Sequence, residues 1–188
     1  MNQRPVLTWP MLLLLAACPS ASLYAQDYLA DPYYGEINLS AGFSPDPYVR
    51  SLIAGGSQQV DSQGAGCTGY ITGAPDFRLN YTAGSLSLGI IASAEFDTTL
   101  IVRTPDGRWH CNDDSEHLAG LNPGISITSP SSGRYDIWVG VYDTDNALND
   151  AKLAITEYGT SSWSTLNLDN DSSSTETEDD SQLESVRW

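Results

Sequence analysis

The chain has 188 residues with 24 acidic and 8 basic side chains, a formal net charge of −16 and a hydrophobic share of 40%. That length admits one domain of ordinary size with end segments and excludes two large ones, while the apolar share suffices for a true core. The acidic balance argues against nucleic-acid and anionic-membrane binding, both of which need basic surface.

Residues 1–25 read as an export signal, with Arg4 in a short polar start, an apolar stretch from Met11 to Ala17, and small residues after it. The apolar run is short for a membrane span. Leu23-Tyr24-Ala25 before Gln26 suits an ordinary signal peptidase, whereas Leu15-Ala16-Ala17-Cys18 resembles a bacterial lipobox that would leave Cys18 lipidated. We adopt the first, which predicts a secreted or periplasmic protein, and keep anchoring through Cys18 as the alternative. Residues 26–34, aromatic and proline-bearing, read as a leader packed on a domain edge.

Strand signals separated by turns follow over residues 35–158: Glu36 to Leu39, Tyr48 to Ile53, Gly69 to Ile71 and Phe77 to Tyr81. Phe77, Leu79 and Tyr81 alternate with Arg78 and Asn80, and Leu86, Leu88 and Ile90 alternate with small residues, the period of half-buried strands.

Asp97 to Asp114 holds the densest chemistry. Leu100 to Val102 is a β-prone run, Thr104-Pro105-Asp106-Gly107 is a turn sequence, and Arg108 to Cys111 is the returning strand. A hairpin there brings Asp97, Asn112, Asp113 and Asp114 to one open end. Carboxylates so gathered repel unless solvated, protonated or bridged, so calcium is the expected cofactor if one exists, and a wet polar loop is the alternative. Further strands are expected at Gly124 to Thr128, Arg134 to Tyr142 and Lys152 to Tyr158. In the second of these Tyr135, Ile137, Val139 and Val141 share one face, with Trp138 and Tyr142 on the other. Asp143-Thr144-Asp145-Asn146 with Asn149-Asp150 is a second acidic stretch, without the Gly and terminal Glu of an EF-hand loop. Residues 159–188, rich in Ser, Thr, Asp and Glu, read as a disordered acidic tail.

Export disposes of Cys18 by removal or lipidation and leaves Cys67 and Cys111, which are expected to pair. A loop of that length is worth roughly 3–4 kcal/mol in the chain-entropy picture. Eight or nine short strands without a helical period predict an all-β fold, a single antiparallel β-sandwich with jelly-roll-like connectivity.

The segments SAGFSPDP, APDFRLNYTAGS, DTTLIVRTPDGRWHCNDD, GLNPGISI and SGRYDIWVGVY, in that order, resemble the bacterial pre-peptidase C-terminal (PPC) domain family over nearly the whole predicted folded region. The resemblance implies a small, secreted, non-catalytic β-sandwich that accompanies extracellular hydrolases. The sequence departs from the family's usual arrangement in that only an export signal and a short leader are read before the sandwich, so a role in processing a cis-linked protease is not expected.

No catalytic set emerges from the residues. The histidines are His110 and His117, no Gly-x-Ser-x-Gly motif supports a serine nucleophile, and no His/Cys spacing suits zinc. Trp109, Trp138, Tyr142 and Trp163 are candidate stacking surfaces for glycans or peptides. The reading is an exported, non-enzymatic binding or accessory domain for an extracellular or periplasmic protein or polysaccharide; the alternative is a small hydrolase with a carboxylate-based or metal-assisted site.

Overall fold

Alternation along Phe77–Thr82 and Gly133–Val141 sends every second side chain to one face, and two sheets facing each other are the way to bury both sets. The computed structural model describes residues 26–60, 68–143, 148–169 and 171–172. The export signal, Cys18, Cys67, Asp145, Asn146 and the chain beyond residue 172 lie outside the described residues.

Eleven strands make up the fold: β1 (Glu36–Ser40), β2 (Tyr48–Ala54), β3 (Gln58–Gln59), β4 (Tyr70–Ile71), β5 (Phe77–Thr82), β6 (Leu88–Ser93), β7 (Thr98–Arg103), β8 (Trp109–Asn112), β9 (Gly124–Ile127), β10 (Gly133–Val141) and β11 (Asn149–Thr156). It is an all-β sandwich. Strand β10 organises the seven-stranded sheet, pairing antiparallel with β5 through Gly133 to Ile137, with β7 through Asp136 to Val141, and with β4 at Val141. Because β7 overlaps both other partners along β10, β5 and β4 must share the opposite edge. Beyond them β1 joins β5 and β3 joins β4, while β8 joins β7. The second sheet has the order β2-β11-β6-β9.

One pairing departs from the antiparallel expectation: β1 runs parallel to β5. A parallel neighbour needs a crossover rather than a hairpin, and here the chain between them supplies β2 of the other sheet.

The core lies between the sheets. Phe77, Leu79, Leu100, Val102, Tyr135, Ile137 and Val139 from one side meet Leu52, Leu88, Ile90, Leu153 and Ile155 from the other. Full burial of each such side chain contributes about 1.5–3 kcal/mol. Gly140 has a packing reason: a Cβ there would come within 2.5 Å of the Tyr70 carbonyl oxygen.

Both outer faces are partly covered. On the seven-stranded sheet Trp138, Ile101 and Ile71 are buried with Tyr28 and Trp109 against them. On the four-stranded sheet Val49, Ile91 and Ala154 are buried beneath Trp163, with Leu118, Leu166 and Leu168 packed alongside. The expected tail therefore starts as ordered structure: residues Thr160–Thr165 form a 3-10 helix and Trp163 is 2% exposed, its indole N–H donating to the Tyr158 carbonyl at 3.1 Å.

Candidate functional site

The central hairpin forms as its turn residues dictate. Thr104 N–H donates to Arg108 O at 2.9 Å, the Thr104 hydroxyl donates to Asp106 Oδ1 at 2.6 Å, and Gly107 takes φ of +82°, which suits glycine. Strands β7 and β8 pair from Arg103 opposite Trp109 to Leu100 opposite Asn112. Arg108 holds the exposed Asp106 carboxyl well below the usual carboxylate range.

At the open end the acids do gather. Burial raises the Asp97 carboxyl above its ordinary value, and repulsion from Asp114, Asp113 and Asp143 raises it further. Asp97 Oδ1 is buried without a hydrogen-bond partner. Asn112 is committed elsewhere: its amide oxygen accepts from Gly124 N–H at 2.9 Å and its amide nitrogen donates to Asp114 O at 2.9 Å. Asp113 Oδ1 accepts from Asp114 N–H at 3.1 Å. Among the described residues no group of three or more His, Cys, Asp or Glu side chains has metal-holding geometry. Cys111, one residue before this end, is disulfide-bonded; Cys67, its expected partner, lies outside the described residues.

The aromatics do not make one open patch. Trp138 is fully buried, because the outer face of β10 is covered, and its ring lies 5.3 Å from that of Trp109, which covers it and is itself half-buried. Tyr142 is exposed, past the end of β10, with its N–H donating to Asp97 O at 3.1 Å. Trp163 is buried on the opposite sheet. Trp138 and Trp163 thus serve packing, not stacking of a ligand.

Sequence patterns did not reveal two buried polar sites. On the outer face of the seven-stranded sheet Asp136 is fully buried, accepting from Arg78 Nε at 2.8 Å and paired with Arg134 Nε at 3.1 Å. Both arginines also donate to Tyr28 O, and the Arg103 guanidinium lies 3.8 Å over the Tyr28 ring, so residues 26–34 are strapped down by three arginines. Asp76 is the second. Its Oδ2 accepts from Val139 N–H at 2.7 Å, and burial pushes its pKa up to about 7. Across the core, burial and the Glu157 carboxylate raise the Tyr81 hydroxyl, which donates to Glu157 Oε1 at 2.6 Å.

An open groove of about 920 Å³ lies on the outer face of the four-stranded sheet. Strand register explains it. Val49, Ala154 and Ile91 form one cross-strand row and lie under Trp163; the next row, Ser51, Lys152 and Ser93, and then Ile53 with Asp150, continue past that cover. Tyr34, Glu95 and Phe96 form part of the wall, and Lys152 Nζ meets Asp169 Oδ1 at 3.3 Å on the floor. A smaller open groove lies over β1, β5 and β10 by Asn38, Asn80 and Arg134. His117 stands edge-on to Trp163 at 6.1 Å and 3.6 Å from Glu116, and His110 lies half-buried on β8.

No family model matches the chain. No curated protein sequence matches it either. Among solved structures it is similar to PliG of Salmonella Typhimurium, a periplasmic inhibitor of g-type lysozyme, at 15% identity and a TM-score of 0.34, over 64% of this chain and 96% of that one. It is also similar to PliG of Aeromonas hydrophila, another such inhibitor, at 13% identity and a TM-score of 0.30, over 68% and 98% of the two chains. Likeness at this level carries no inference of function.

Proposed function

We propose that this protein is an exported, non-catalytic β-sandwich that binds a protein or polysaccharide outside the cytoplasm, with the groove on the four-stranded sheet as its binding surface. The groove carries the reading. It joins apolar surface from Tyr34, Ile53 and Phe96 to hydrogen-bonding groups from Ser51, Ser93 and Lys152, the mixture that recognition sites use. An enzyme of the hydrolase kind needs convergent acid, base or nucleophile groups in a recess; the groove is open, and of its carboxylates, Glu95, Asp150 and Asp169, the last is paired with Lys152.

A PPC-like domain fits the same reading, supported by the order of its segments in the sequence and by the two-sheet architecture. A Cys67–Cys111 disulfide would tie the central hairpin to the segment before β4. Mass spectrometry of unreduced protein should show those two peptides joined, and two alkylatable thiols would refute the pairing.

Calcium belongs to the proposal at the open end of the hairpin. Its support is the crowding of Asp97 by Asp113 and Asp114; water would have to complete the shell, since the Asn112 amide is engaged. Binding to the folded state alone raises stability by about 2.7 kcal/mol at a hundredfold excess over Kd. Thermal unfolding in chelator and in millimolar calcium should therefore differ, and superimposable curves would leave the cluster a polar loop.

The binding function is tested by immobilising the mature protein and a Ser93→Arg variant, which fills the groove, in the envelope and secreted fractions of the producing organism. One partner retained by the wild type and lost by the variant is expected. Identical retention by both would place the function elsewhere.

A further inference from the structure

We propose that the exported chain carries a modified first residue, Gln26 closed into a pyroglutamyl ring, and that this ring is the form in which the leader docks on the seven-stranded sheet. The proposal rests on cleavage between Ala25 and Gln26, and it is independent of what the groove binds.

Two observations point to it. Gln26 is 5% exposed, and its side-chain Nε2 is buried without a hydrogen-bond partner. A buried amide donor left unpaired is costly, and cleavage adds a second burden by creating an α-ammonium on the same residue. The rest of the leader is held in place close by. Two residues on, Tyr28 is held by three cations: Arg78 and Arg134 donate to its carbonyl at 3.1 and 3.2 Å, and Arg103 lies 3.8 Å over its ring. Arg78 also donates to Ala30 O at 2.9 Å.

Cyclisation removes both burdens in one step. The neutral α-amine attacks Cδ of the Gln26 carboxamide; a new C–N bond closes a five-membered lactam, the bond from Cδ to Nε2 breaks, and the amine proton leaves with Nε2 as ammonia. Nothing is oxidised or reduced and no co-reactant is needed. The contacts that position the residue survive, because the main-chain carbonyl of Gln26 still accepts from Tyr28 N–H at 3.1 Å and Asp27 N–H still donates to Gly73 O at 2.8 Å. Ring closure also stiffens the chain end, so less entropy is lost when the leader docks.

The experiment is intact-mass and N-terminal peptide analysis of protein exported by its producing organism, alongside a Gln26→Glu variant, in which glutamate cyclises far more slowly. The wild type should start at residue 26, weigh one ammonia less than the unmodified sequence and resist stepwise N-terminal degradation. The variant should keep a free amine, melt lower, and show faster hydrogen exchange at the Asp27 amide. Wild type with a free α-amine on Gln26 would overturn the modification while leaving the export reading intact. An N-terminus at lipidated Cys18 would overturn the export reading and the modification with it. Equal melting and exchange in a cyclised wild type and an open variant would overturn the docking role.

Discussion

Asp76 illustrates how one residue can be fixed by its protonation state. Thr72 has a single hydroxyl proton and lies 2.8 Å from Ala74 O and 3.1 Å from Asp76 Oδ1. With Asp76 protonated, its own proton serves Thr72 Oγ1, the threonine serves Ala74, and Val139 N–H serves Oδ2, so every group is satisfied. With Asp76 ionised, one of those contacts fails. The folded-state pKa of about 7 lies above the ordinary 3.8, so the folded form holds a proton that the unfolded chain has released. Stability from this residue is therefore full below about pH 4 and is lost as pH rises to about 7, on the order of 4 kcal/mol in all. Chemical denaturation at a series of pH values should show this decline, and Asp76→Asn, which stays neutral and can donate to Thr72, should flatten it. An unchanged slope in the variant would assign the pH dependence to other groups.

At the scale of elements, the four-stranded sheet depends on chain outside its strands. Strand β2 is an edge, and edges invite pairing with foreign strands unless covered. Its outward N–H groups are taken one by one: Val49 donates to Ser172 Oγ at 3.0 Å, Ser51 to Asp171 Oδ2 at 2.8 Å, and Ile53 to the Tyr34 hydroxyl at 3.0 Å. A chain ended after Asp169 should speed hydrogen exchange at Val49 and Ser51 and leave Ile53 protected; uniform rates at all three would refute the capping role. Trp163 covers the next surface inward, and Trp163→Ala should cost about 3–5 kcal/mol in denaturant unfolding, the range for large-to-small buried aromatic changes. A loss below about 0.5 kcal/mol, within the range of ordinary surface substitutions, would mean that the segment merely rests on the sheet.

The sequence showed these elements unevenly. The alternation in Phe77 to Tyr81 and Arg134 to Val141 gave the strands and their core faces directly, and Thr104 to Gly107 gave the hairpin turn. Strand β3, of two residues, carries too little pattern to be read, and Leu86 fits the alternation yet precedes β6 and is half exposed. Trp163 was hidden because composition averages over the serines and acids around it. A local signal did exist: Gly89 and Gly124 stand where a Cβ would meet the indole, the mark of a bulky neighbour on a strand face. The acids near Asp97 were legible through hairpin geometry, but the engagement of Asn112 with Gly124 was not, because β9 joins through tertiary packing. Nor could the groove be foreseen, since it lies beside the surface that Trp163 covers, and that cover is a matter of tertiary packing.

For the whole molecule, charge and architecture bear on the same function. A net charge of −16 repels acidic polymers and would draw basic partners in, while the proposed groove would add local shape and hydrogen bonding to any such attraction. The most direct measurement is photo-crosslinking in the native exported fraction, with a photoreactive side chain placed at Ser93 in the groove and, as the control, at Asn38 on the opposite sheet. The account predicts one discrete product from position 93 and none from position 38; equal yields at both, or a product only from position 38, would contradict it.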